Sequence, residues 1–522
     1  MKNYIKNILY IFCLGLMTFS LGCDGNFEEI NTDPNAVTSD RFNPAYLLTT
    51  AQVQTALASE HVGGNMYYCE AFVQHFASLS NVGIFNWHGD KYVLHQGNND
   101  QLWESTYKID KLVMDVIQAT KDNPEYQNLY NMALIWRSLI FHRLTDLYGD
   151  APFSEAGLGY YEGIYKPVYD AQESIYDQML NQLDAAVNNL DGSKDNFAAF
   201  DVAYEGDINK WKRMGNSLML RLAMRLSKAD PAKAEQWVKK AFAKDLMQDN
   251  ADNLAIRGTD PNGTVEDLTN KASLMFSRSA TGQISATFFD YLDERNDPRL
   301  QHMVAVYTDP YDATTKNDDP EIQKGLPNGL DRFSLVDDPS YVADHPAQEN
   351  QYSTLDRDVY GKLDGYRMLL TYAEVQLLLA EAALRGWISG DAKTYFENGV
   401  KGDMKNVASY EPTAIITDAE IATYLAENPY VGDGDMEKAL EQINSQYWVA
   451  TFMNGYEAFA NYRRSGYPAL VPINYLDNET GGLRPGRLIY PENEPVLNTA
   501  NYNAAVSRQG TDNFITHVWW DK

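Results

Sequence analysis

The sequence predicts a mainly α protein, built from tetratricopeptide-like helical pairs with a loop-rich, irregular half and few short strands. Three observations carry this. Long segments repeat apolar residues at helical spacing, and small residues recur where paired helices would touch. Between residues 250 and 360 that periodicity gives way to a stretch dense in Asp, Pro, Gly and Tyr.

At the N-terminus, Lys2 and Lys6 precede the apolar run "ILYIFCLGLMTFSLG", which is too short for a stable membrane span. It reads as the h-region of a secretory signal, with small Gly22 on the cleavage side. The "SLGC" that closes it fits a bacterial lipoprotein signal, although Ser20 stands where Leu is usual. The reading is a signal peptide over 1–22, lipid attachment at Cys23, a tether over 23–45 and a single domain over 46–522. The tether "NTDPNAVTSDRFNPA" is rich in turn formers.

The helices follow in order. In "ALIWRSLIFHRLTDLYGDAPF", Trp136, Ile140, Leu144 and Leu147 form one stripe, and "YGDAP" stops the helix. Ile175, Met179, Leu183 and Val187 repeat the design, with Gly192 at its end. "DINKWKRMGNSLMLRLAMRLSKADPAKAEQWVKKAF" reads as two helices broken at Asp230-Pro231. "YAEVQLLLAEAALRGW" buries Val375, Leu378, Leu379 and Ala382, with Ala373, Ala380 and Ala383 for close contacts. "EKALEQINSQYWVATFMNGYEAFANYRRSGYP" supplies a further long helix or pair. The C-terminal stretch is mostly loop and ends in aromatics that read as buried.

Composition narrows the function. Hydrophobic residues make up 44%, enough for a sizeable core. A formal charge of -29 argues against nucleic acid and anionic lipid surfaces as partners. Of three cysteines, Cys13 leaves with the signal and Cys23 takes the lipid, so Cys69 has no disulfide partner in the mature chain.

Catalytic motifs are nearly absent: there is no zincin His pair, GxSxG elbow, P-loop or dinucleotide fingerprint. No metal or cofactor is implied. His88 and His95 read as packing or surface residues, and "DGDMEKALE" as a helix N-terminus rather than a calcium loop. The 72 acidic residues leave a glycosidase pair open, but nothing points to one. The 35 Tyr and 9 Trp are more informative, because both side chains suit stacking on a sugar ring. Trp136, Trp211, Trp237, Trp387 and Trp448 fall in helical periodicity and read as core. Phe85, Trp87 and Tyr92 lie in the Gly- and Asn-rich "NVGIFNWHGDKY", where burial is not forced. They are candidate ligand contacts, together with Tyr307, Tyr311, Tyr341 and Tyr352 of the irregular middle. Arg213, Arg221, Arg225, Arg463 and Arg464 read as partners of scaffold carboxylates.

Taken together, the segments resemble the SusD/RagB family of Bacteroidetes outer-membrane lipoproteins. The resemblance rests on "LTDLYGDAPFSEA" (144–156), "GDINKWKRMGNSLMLRLAMRL" (206–226), "NDPRL" (296–300) and "LLTYAEVQLLLAEAALRGW" (369–387). "QYWVATFMNGYEAFANYRRSGYP" (446–468) and "RLIYPENEPVLNTANYNAAV" (487–506) extend it along nearly the whole chain. It implies four tetratricopeptide-like pairs with an irregular, ligand-bearing half. It also implies a non-catalytic protein that captures oligosaccharides, or in some members peptides, for a SusC-like TonB-dependent transporter. A surface glycoside hydrolase and a protein-binding adaptor are the competing readings. The resemblance gives Asp24, Glu28 and Glu29 a meaning as an acidic surface-export signal.

Overall fold

In the computed structural model, which describes residues 42–58, 62–80, 87–262, 264, 268–277, 282–345 and 348–521, the periodic segments fold as helices in their predicted order. Cys23, the leader, most of the tether and Phe85 lie outside the described residues. Among the described residues, the α-helices of eight or more residues, leaving aside the π-helix Val62–Glu70, are α1 (Ala45–Leu57), α2 (Gln96–Thr120), α3 (Gln127–Tyr148), α4 (Gln172–Asn189), α5 (Ile208–Arg225) and α6 (Pro231–Phe242). After them come α7 (Ala286–Asp293), α8 (Tyr372–Leu384), α9 (Ala392–Tyr410), α10 (Asp418–Glu427), α11 (Met436–Ala450), α12 (Gly455–Ser465) and α13 (Thr499–Gln509).

Local chemistry sets the ends. The backbone at Gly149 takes φ 82°, a left-handed conformation that closes α3 after Tyr148. Asp230 caps α6 by accepting from the Lys233 N–H, with Pro231 in its first turn. Asp435 caps α11 in the same way through Lys438, so "DGDMEKALE" is a helix start. The sequence reading passes over α2. Its stripe of Leu102, Trp103, Ile109, Val113 and Ile117 is buried, but Asn98, Asn99, Thr106 and Asp110 are buried beside it and blur the apolar pattern.

From α1 to α6 each helix packs on the next, α8 then packs on α5, and α9 and α11 both pack on α8. Helix α12 packs on α11 and returns to α3. The predicted stripes are core: Trp136, Leu144, Ile175, Met179, Leu183 and Val375 are fully buried.

A polar brace crosses this core. Glu374 of α8 accepts from Arg221 at 2.6 Å, and Glu457 of α12 accepts twice from Arg225, at 2.7 and 2.8 Å. The Tyr447 hydroxyl of α11 donates to Glu457 at 2.8 Å. Asp146 of α3 lies 3.4 Å from Arg225 and accepts from Trp520 Nε1 at 2.9 Å and from the Tyr176 hydroxyl. Burial pushes the Glu457 carboxyl up, but Arg225 and Arg221 outweigh it and hold it at about 2. Arg213 pairs with Asp252 at 2.8 Å, and Arg464 takes both oxygens of Glu381 at 2.7 Å. Arg463 departs from the predicted pattern: its guanidinium forms no ion pair among the described residues, and backbone carbonyls take two of its N–H groups.

The irregular half holds short strands, as predicted: β1 (Phe76–Ala77), β2 (Leu254–Arg257), β3 (Gln283–Ile284), β4 (Val304–Tyr307), β5 (Lys316–Asn317), β6 (Thr354–Leu355) and β7 (Tyr366–Leu370). Five of them form an antiparallel sheet in the order β1-β3-β6-β4-β5, and β2 pairs with β7. Phe76 stands opposite Ile284, Gln283 opposite Thr354 and Val306 opposite Asn317, so segments far apart in sequence become neighbours.

Candidate functional site

Of the candidate aromatics among the described residues, Trp87, Tyr92, Tyr307 and Tyr352 are buried. Trp87 and Tyr92 flank a 3-10 turn over His88–Lys91, both with left-handed backbone at φ 63° and 55°. These conformations turn the Trp87 ring onto Phe76, Tyr67 and Phe276, and the Tyr92 ring onto Phe72. With exposures of 1% and 2%, neither ring offers a face to a ligand, which corrects their reading as candidate ligand contacts on a loop where burial is not forced. Tyr307 is likewise buried: the Arg357 guanidinium covers its ring at 4.0 Å, and its hydroxyl accepts from the Arg357 N–H. Tyr352 belongs to a small second core with Ala77, Leu79, Leu326 and Leu335. His88 and His95 stack at 4.7 Å, and His95 Nδ1 caps α2 by accepting from Asn98. Burial, His95 and Lys91 press the His88 imidazole down to about 4, so it is neutral at physiological pH.

Two predicted tyrosines remain at the surface. Tyr311 is 71% exposed in the turn between β4 and β5, and half-buried Tyr341 packs against the second core close to Tyr352.

What the second core supports is a shelf of loops. Asp90 is its hidden tie: the carboxylate accepts from Lys91 Nζ (2.6 Å), Ser78 N–H (3.1 Å), Asn328 Nδ2 (2.6 Å) and Gly329 N–H (3.3 Å). Burial pushes the Asp90 carboxyl up against the pull of Lys91 and these donors. Lys324 holds the far side, donating to the Ser340 carbonyl and Gln351 Oε1 while lying 4.7 Å over the Tyr352 ring. The Tyr475 hydroxyl donates to Asp331 at 2.8 Å and fastens the 470–483 loop to the shelf. Burial pushes Asp331 up, yet bonds from Ser334, Tyr475 and Phe333 N–H hold it below the usual carboxylate range.

On this frame Phe333 is 77% exposed, and Val336, Val342, Val471 and Leu476 are exposed too. Single exposed apolar residues are ordinary; these five lie on two loops that the Tyr475–Asp331 bond ties together. Nearby, a cavity of about 580 Å³ opens between α7 and the β4–β5 hairpin, in the size range of ligand pockets (about 300–1,000 Å³). Phe289, Leu300 and Val304 line it together with Asp293 and Asp318. The arrangement can hold a ligand through ring faces, hydroxyls and carboxylates.

Residues 34–491 match the SusD-like family described as "Starch-binding associating with outer membrane". The chain belongs to the SusD-like family. Among solved structures it is similar to a chitin-binding protein, at 32% identity and TM-score 0.78, with 92% of this chain and 100% of that one covered. It is also similar to a structure titled "Bacteroidetes AC2a SusD-like", at 27% identity and TM-score 0.81 over the same shares. A chitin-binding SusD homologue from Flavobacterium johnsoniae shares the fold at 24% identity and TM-score 0.75, over 92% of this chain and 98% of that one. No curated protein sequence matches the chain. Among the described residues of this SusD-like chain, no helix is long and apolar enough to cross a membrane.

Sequence reasoning missed Phe333, Val336, Tyr475 and Leu476. A signal for Phe333 exists: it is the one aromatic residue in the turn-rich "NGLDRFSLVDDP".

Proposed function

We propose that this SusD-like protein is a non-catalytic, surface-exposed lipoprotein that captures oligosaccharides on its loop half and delivers them to a SusC-like TonB-dependent transporter of the outer membrane. The family match over residues 34–491 carries the reading, and the chitin-binding title of the 32% identical relative supports a sugar ligand. Lipid on Cys23 anchors the mature chain, residues 1–22 are the leader, and the 23–45 segment is the tether. Tyr311, Tyr341 and Phe333 are the proposed sugar contacts. An exposed ring stacks on the apolar face of a pyranose, and neighbouring side chains such as Asp331 and Lys324 meet its hydroxyls.

Calorimetry of the mature chain with chito- and malto-oligosaccharides, with oligopeptides as the control, tests this. Binding of an oligosaccharide that Tyr311→Ala, Tyr341→Ala and Phe333→Ala weaken is the expected result. Binding of peptides alone, or release of new reducing ends by the pure protein, overturns it. Cys23→Ser is expected to release the protein from the membrane fraction, and retention there removes the lipid anchor.

A further inference from the structure

On the helical half, a cavity of about 440 Å³ opens where the C-terminal ends of α5, α8 and α12 meet the side of α11. In a chain of formal charge -29 its wall carries five cations, Lys228, Arg385, Arg463, Arg464 and Arg484, against two carboxylates, Glu381 and Glu437. Those carboxylates already have partners. Glu381 binds Arg464 at 2.7 Å and Arg385 at 2.8 Å, and Glu437 accepts from the Tyr467 hydroxyl at 2.8 Å.

Three cations are less fully matched. Arg463 is 1% exposed, with its guanidinium against the rings of Phe459 and Trp520. Its Nε and Nη1 donate to the carbonyls of Phe459 and Gly486, while buried Nη2 has no hydrogen-bond partner. Arg484 gives Nη2 to Asp521 at 3.2 Å, and its buried Nη1 is likewise without a partner. The Lys228 ammonium, half exposed, stands 4.0 Å from Asp521. Asp521 is also shared with His517, at 2.7 Å. A buried donor left unsatisfied costs about 1–3 kcal/mol. Guanidinium groups recover that best from a carboxylate or sulfate, whose oxygens match their fork. The volume lies in the ligand-pocket range (about 300–1,000 Å³), enough for one or two sugar rings.

We propose that this cavity binds a small oxyanion-bearing sugar, a sugar acid or sulfated sugar, through Arg484 and Lys228. The site stands apart from the loop shelf and does not depend on that shelf taking a glycan.

The test is calorimetry of the mature chain with glucuronate, glucose and inorganic sulfate, each at low and moderate salt. Glucuronate is expected to bind and to weaken with salt, and glucose is expected to give no signal that depends on these residues. Lys228→Gln and Arg484→Gln, both at partly exposed positions, are each expected to cost about tenfold in glucuronate affinity, and Lys228→Gln is expected to keep the wild-type melting temperature. Tyr311→Ala and Phe333→Ala are expected to leave glucuronate binding unchanged, so failure here is separable from failure of the loop shelf. Absence of glucuronate binding, or binding that ignores the Lys228 and Arg484 variants, overturns the proposal. Sulfate binding without glucuronate binding also overturns it and leaves an adventitious ion only.

Discussion

Replacing Asp90 by Ala is the sharpest test of how the loop shelf is held. The substitution removes the acceptor shared by Lys91, Ser78, Asn328 and Gly329, and leaves the buried Lys91 ammonium with the Ser78 carbonyl as its remaining partner. Taking one member from a buried ion pair costs about 3–5 kcal/mol, because the other charge stays desolvated. The loss falls on contacts between the 87–92 turn and the 326–342 loop rather than on the helical brace, so local opening is expected to come before global unfolding. At about 4 kcal/mol, amide exchange across 326–342 accelerates by about a thousandfold, since each 1.4 kcal/mol is about a factor of ten. Hydrogen–deuterium exchange with peptide resolution reads this directly, with the helices α3, α5 and α12 as the internal reference. Oligosaccharide affinity is expected to fall in the same variant, because the shelf is no longer preorganised. Wild-type exchange across 326–342 in folded Asp90→Ala protein would refute the reasoning.

Three further outcomes follow from the same geometry. Trp87→Ala opens a cavity among Phe76, Tyr67 and Phe276 and is expected to lower stability by about 3–5 kcal/mol, measured by denaturant unfolding, while the folded protein binds its ligand as before. Phe333→Ala and Tyr311→Ala are expected to do the reverse: melting unchanged within about 0.5 kcal/mol, and oligosaccharide affinity reduced about threefold to tenfold in calorimetry. Burial pushes the Glu381 carboxyl up, but Arg464 and Arg385 outweigh it and hold it at about 2, below its ordinary 4.5. Its contribution, about 3 kcal/mol at 1.36 per pH unit, is complete above pH 4.5 and is lost as the pH falls toward 2. Glu381→Gln is therefore expected to flatten the acid limb of a melting-temperature profile between those values, and an unchanged limb counts against the assignment.

The scaffold was legible in the sequence because a helix writes its burial locally. Ile175, Met179, Leu183 and Val187 declare one face at a spacing of four, and all four are buried. Where buried amides and an aspartate interrupt the stripe, as in α2, the same logic loses its signal. The loops are harder for a different reason. Whether Trp87 faces solvent depends on the left-handed turn that aims it and on Phe276, nearly two hundred positions away in the chain. Tyr307 is hidden by Arg357, a partner that no local pattern announces. Tyr311, only four residues from Tyr307 and grouped with it by the sequence, is 71% exposed in its Asp- and Pro-rich turn.

The core brace also has a temporal meaning. Its members enter the chain at Asp146, Tyr176, Arg225, Glu374, Tyr447 and Glu457, and Trp520 follows them all. A chain emerging N-terminus first brings out α3, α4 and α5 with charged groups whose partners have yet to appear. No N-terminal fragment closes the circuit. The Trp520 indole joins after every other member, and without it Asp146 is one donor short at the centre of the helical core.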